Sequence, residues 1–123
     1  MFKKFMMVVL SAMLILSIAP AAISAQDTLV IGFLPGTVDP FYQVMQLGVE
    51  AASADMGVQI VTQIPQSWGV EVQTPILDAM VARGDLDYLI IAPTDKDQMI
   101  GPLQAALDAG IKIITVDRHG RGD

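Results

Sequence analysis

The chain has 123 residues, 13 Asp and Glu against 7 Lys and Arg, a formal net charge of −6, 53% hydrophobic residues and no cysteine. The length fits one domain. Without cysteine there is no disulfide framework, no lipid-modified cysteine anchor and no thiol chemistry, and the shortage of basic residues argues against nucleic acid or an anionic membrane surface as partner.

The first 25 residues, MFKKFMMVVLSAMLILSIAPAAISA, place Lys3 and Lys4 ahead of an apolar run over 5–18 and a small-residue stretch broken by Pro20. These are the three regions of a secretory signal peptide, and the run is short for a membrane span of about 20 residues. Cleavage is expected between Ala22 and Gln26; the alternative is an uncleaved N-terminal anchor. Loss of Lys3 and Lys4 would take the formal charge from −6 to −8. The remaining bases, Arg83, Lys96, Lys112, Arg118 and Arg121, form no cluster before the last few positions.

From residue 28 onward apolar runs alternate with helical patterns. LVIGFL (29–34), ended by Pro35 and Gly36, reads as a strand buried on both faces. Asp39 then offers an N-cap, Pro40 the first helical position and Gly57 a left-handed stop, with Val44, Leu47, Ala51 and Ala54 as the expected buried stripe. VQIVT (58–62) is a second strand, followed by the irregular QIPQSWG. A second helix is expected over 70–83, with Pro75 tolerated in its first turns and Gly84 beyond its end.

YLIIA (88–92) is the third strand. Asp95 with Gln98 has the spacing of a capping box, Met99, Leu103, Ala106 and Leu107 form the next apolar stripe, Gly101-Pro102 should bend or loosen that helix, and Gly110 should end it. IKIITV (111–116) is the fourth strand. The βαβαβαβ order predicts an α/β fold, a three-layer αβα arrangement around a parallel sheet with right-handed crossovers. Ligands of such sheets bind outside the carboxyl ends of the strands, here 35–39, 63–69, 93–97 and 117 onward.

The chemistry available at those ends is polar, with nothing that forms a catalytic pair. His119 is the single histidine, which removes a polyhistidine metal site. Asp39, Asp95 and Asp117 could gather as oxygen ligands for a cation, but no spacing resembles a calcium loop and aspartates after strands commonly cap helices. GFLPG is neither a dinucleotide fingerprint nor a phosphate loop. No cofactor is implied.

TLVIGFLPGTVDPFYQVMQLGVEAASADMGVQIV and IIAPTDKDQMIGPLQAALDAGIKIITVDR together resemble the N-terminal part of a periplasmic sugar-binding protein of the ribose and galactose type, the soluble receptor of an ABC importer. The resemblance covers essentially all of the mature chain. The family's N-P-F-F is matched by Asp39-Pro40-Phe41-Tyr42, with Asp for Asn and Tyr for the second Phe. Its N-P-x-D-x-x-x-x-x-P run is matched over 92–102 with Ala92 for Asn, and its V-x-x-D-R by Val116, Asp117 and Arg118, with Asp117 directly after Val116.

The resemblance implies the N-terminal lobe of the type I periplasmic binding protein fold (residues 28–123, incomplete), periplasmic location, a membrane permease as partner, and a monosaccharide or polyol held without catalysis. It assigns ligand contacts to Asp39, Phe41, Tyr42, Asp117 and Arg118. Sugar hydroxyls need carboxylates and a guanidinium, and the sugar's C–H face needs an aromatic plane, for which Trp68 is a further candidate on chemical grounds. The competing structural readings are an ion pair or cap for Asp117 and Arg118, core packing for Phe41, and a cover over the core edge for Trp68. His119 and Arg121 read as loop residues. The resemblance also implies a second lobe and hinge that these residues do not supply, which leaves a truncated non-binding fragment as one alternative and a flavodoxin-like or response-regulator-like domain as another.

Overall fold

A computed structural model describes residues 27–117; the signal segment, Arg118 and His119 lie outside the described residues. Four strands, β1 (Val30–Leu34), β2 (Gln59–Thr62), β3 (Tyr88–Ile91) and β4 (Lys112–Thr115), alternate with α1 (Pro40–Met56), α2 (Val70–Ala82) and α3 (Ile100–Asp108). All strand pairs are parallel, in the order β2-β1-β3-β4. β1 is interior, as its unbroken apolar run predicts, with Gly32, Phe33 and Leu34 all buried.

The strand order dictates the layers. The step from β1 to β2 goes one way and the step from β2 to β3 returns across β1, so crossovers of one hand put α1 and α2 on opposite faces. The step to β4 continues in the second direction and keeps α3 beside α2, and these two helices are in contact. Their face holds the main core, in which Leu34, Leu89 and Ile91 of the sheet meet Leu77, Met80, Met99 and Ala106. Gly32 makes room there, because a Cβ on it would press on the Met80 methyl. Phe33 alternates with Leu34 and points to the other face, the one α1 covers.

Each helix is punctuated by the residues that read as stops and starts. The Asp39 side chain accepts from the Tyr42 N–H, Pro40 opens α1, and Gly57 closes it at φ 68°. In α2, Pro75 falls within the first two turns and stays exposed.

Two expectations are corrected. The stripe of α1 is out of phase: Val44 and Leu47 are 69% and 66% exposed, Ala51 and Ala54 are exposed as well, and the buried side carries Tyr42 and Ser53. Ser53 tolerates burial because its hydroxyl donates to the Val49 carbonyl at 2.7 Å. Helix α3 starts at Ile100 rather than just after Asp95. The Asp95 cap is real, accepting from the N–H groups of Asp97 and Gln98 at 2.9 and 2.7 Å, but it closes only a turn. Pro102 has no N–H for the Gln98 carbonyl and is tolerated only near a helix start, so a new helix begins beside it.

The two faces of the helices should respond differently to truncation. Leu77→Ala, at a site with no exposure, should cost about 2–5 kcal/mol in urea denaturation. Val44→Ala should stay within about 0.5 kcal/mol of the parent. A large loss at Val44 would contradict the observed phase of α1.

Candidate functional site

The carboxyl ends of β1, β2, β3 and β4 lie on one rim, as a parallel sheet requires. Two of those ends meet through a side chain. Tyr42, on the first turn of α1, is 3% exposed, and its hydroxyl donates to the Asp117 carboxylate at 2.7 Å, across 75 positions of sequence. Asp117 directly follows the last ladder bond of β4, Val116 N–H to the Ile91 carbonyl. It has φ 47° and is the sole non-glycine residue at positive φ among the described residues. Aspartate enters that region more readily than most side chains, at a cost of about 1–3 kcal/mol, and such outliers concentrate at functional sites.

Asp39 belongs to the same group through its bond to the Tyr42 N–H at 2.9 Å. Phe41 packs edge-on against Tyr42, with ring centroids 5.2 Å apart, and is itself 57% exposed. The structure therefore gathers Asp39, Phe41, Tyr42 and Asp117. Trp68 stands on the neighbouring β2–α2 connection, 41% exposed, with its ring lying over Gly36. Arg118 falls outside the described residues. The cation alternative is not assembled: Asp39 and Asp95 cap their own turns, and no group of three or more His, Cys, Asp or Glu suited to a metal occurs among the described residues.

Gln73 is a residue that sequence reasoning missed. It is fully buried on α2, and its amide N–H groups donate to the carbonyls of Pro35 at 3.2 Å and Ala92 at 2.8 Å. Its oxygen accepts from the Thr94 N–H at 2.9 Å and the Thr94 hydroxyl at 3.1 Å. One amide thus ties the end of β1 to the end of β3. A polar residue four before Leu77 and seven before Met80, in the register of an apolar stripe, was the available signal.

Electrostatics follow the same contacts. Burial, then the hydrogen bond and charge of Asp117, push the Tyr42 phenol above its ordinary range near 10. Backbone N–H groups of Gln98 and Asp97 hold the Asp95 carboxyl below the usual carboxylate range. An open cavity of about 440 Å³ lies at the same rim on the α3 side, lined by Thr94, Lys96, Met99, Leu103, Thr115 and Val116 among others, and it includes neither Tyr42 nor Asp117.

Two outcomes are expected. The raised Tyr42 pKa belongs to the folded state, so its stabilisation is fully present below about pH 10 and is lost as pH rises through the raised value. Urea midpoints measured from about pH 8 to about pH 11 should fall more for the parent than for Tyr42→Phe, and equal slopes would contradict the buried bond. Gly36→Ala drives a methyl into the ring of the single tryptophan, so the emission maximum of Trp68 should shift; an unchanged spectrum would place that ring elsewhere.

A family model described as a periplasmic binding protein domain matches residues 31–123. No curated protein matches the chain. Among solved structures, an ABC transporter solute-binding protein from Agrobacterium vitis with bound α-D-tagatopyranose is 40% identical, with a TM-score of 0.71 over 77% of this chain and 35% of its own. One from Mycobacterium smegmatis with bound glycerol is 30% identical, with a TM-score of 0.67 over 74% of this chain and 31% of its own. A periplasmic solute-binding protein from Actinobacillus succinogenes with bound D-allose is 25% identical, with a TM-score of 0.68 over 73% of this chain and 32% of its own. The chain therefore spans about a third of the length of these relatives. With a family model covering most of its length and a relative at 40% identity, the chain belongs to the periplasmic binding protein domain family.

Proposed function

We propose that this chain forms one jaw of an exported receptor that holds a monosaccharide or polyol and hands it to an ABC permease, without catalysing a reaction. The observation that carries the reading is the group at the ends of β1 and β4, where the exposed Phe41 ring stands against Tyr42 and Tyr42 holds the Asp117 carboxylate. An apolar plane beside a carboxylate suits a ligand with a C–H face and hydroxyl edges. The bound tagatose, allose and glycerol of the relatives support the same class. In this reading residues 28–123 are part of an N-terminal lobe and a second lobe closes the pocket from the other side. Asp39, Phe41, Trp68, Asp117 and Arg118 line the near wall with Tyr42 directly behind them, and residues 1–25 are a signal peptide that directs the protein to the periplasm. Among the described residues no helix is long and apolar enough to cross a membrane.

Calorimetric titration of the full-length protein with D-tagatose, D-allose and glycerol should give saturable binding of at least one. Asp117→Ala and Arg118→Ala should each weaken it by about 1–3 kcal/mol, the cost of leaving a buried partner unmatched. Binding of none of them, or equal binding by both variants, would contradict the assignment. N-terminal sequencing of exported material should find the new terminus within residues 21–26; a full-length cytosolic product would contradict the signal reading.

A further inference from the structure

The hydroxyl of Tyr42 is the atom by which this chain departs from the Phe-Phe pair of the proteins it resembles, and it is the atom that reaches Asp117. The ring beneath it is 3% exposed, so it offers almost no face on which a ligand could stack, in contrast to Phe41 at 57%. The single phenolic proton is already given to Asp117 Oδ2 at 2.7 Å, which leaves Tyr42 no donor for a ligand hydroxyl. Its backbone is fixed as well, since its N–H is bound by Asp39 at the first turn of α1.

Asp117 is the acceptor of that bond. It sits one residue beyond the last bond of the β4 ladder, in the left-handed region at φ 47°, where the regular strand no longer dictates the direction of the side chain. The Tyr42 bond holds one oxygen of that carboxylate in place, and a rotamer that faces away from the ligand would break the bond and lower the fraction of protein competent to bind.

We propose that Tyr42 is a positioning residue for the receptor site, whose hydroxyl fixes the carboxylate of Asp117 so that a ligand meets it in one preset orientation. This rests on the receptor reading given above. It divides the aromatic pair by task, with Phe41 presenting the apolar plane and Tyr42 holding the acceptor. The hydrogen bond to an ionised group is of the stronger kind, so losing it has a measurable effect on affinity although Tyr42 itself makes no ligand contact.

The test is a double-mutant cycle on the full-length protein, with D-tagatose, D-allose and glycerol as titrants and thermal midpoints recorded for every variant. Tyr42→Phe should remain folded and weaken binding by about tenfold in the presence of Asp117, and should add nothing in an Asp117→Ala background. Tyr42→Phe within twofold of the parent overturns the proposal and leaves the receptor reading standing. An equal loss in both backgrounds makes Tyr42 a direct contact and also overturns it. Should Asp117→Ala bind too weakly to close the cycle, three-bond couplings across Cα–Cβ of Asp117 decide. One rotamer in the parent with averaging in Tyr42→Phe supports the proposal, and one rotamer in both overturns it. A parent that binds none of the three titrants overturns the receptor reading and this proposal with it.

Discussion

A primary amide buried beneath a sheet rim must find partners for two N–H bonds and for an oxygen with two lone pairs, and Gln73 finds them on two different strand ends. Leaving a buried group of this kind unmatched costs about 1–3 kcal/mol, so the amide holds the Pro35 and Ala92 carbonyls and Thr94 at fixed separations. Everything that follows on the rim hangs from those points. Pro35 leads into Gly36, over which the Trp68 ring lies, and then into Asp39 and the first turn of α1. Ala92 and Thr94 lead into the Asp95 turn that precedes α3. A rim built this way is stiff where the strands end.

The second tie runs from α1 to the end of β4. Since β4 is separated from β1 by β3, the bond from Tyr42 to Asp117 spans the carboxyl edge of the sheet instead of lying within one loop. Gln73 acts from the α2 side and Tyr42 from α1, on the opposite face, so the ends of β1, β3 and β4 are braced from both sides. The exposed part of Phe41 projects beside this braced group. This makes the rim near Asp117 a better candidate for recognition than the cavity beside Lys96, which is lined by residues 93–96 of the β3–α3 connection with Met99, Leu103, Thr115 and Val116 and includes neither Phe41 nor Asp117.

Local pattern made the strands legible, and each observed strand lies within the span read from its apolar run, most plainly for the interior β1, whose last three residues are all buried. Helix phase was harder to read. In α1, Val44, Leu47, Ala51 and Ala54 fit the helical period as well as the side the protein buries. The choice between them was made by the Tyr42 bond to a residue 75 positions away and by a serine that satisfies itself on its own helix. The start of α3 was misread because the Asp95 and Gln98 cap is genuine, yet Pro102 confines it to a turn. Gln73 left only a faint local signal, a polar residue in the register of Leu77 and Met80, and nothing local shows that its partners are the ends of two different strands. The strand order β2-β1-β3-β4 is also shared with flavodoxin-like folds, so order alone leaves that alternative open, and the family match over residues 31–123 closes it.

In the receptor reading, recognition occurs where α1 meets the end of β4. The most direct measurement is a crystal structure of the full-length protein grown with D-tagatose. The sugar is expected with its C–H face on the exposed side of Phe41 and a hydroxyl on the Asp117 carboxylate, with the Tyr42 bond intact. A sugar seated instead in the cavity beside Lys96 and Thr115, with Phe41 and Asp117 untouched, would contradict it.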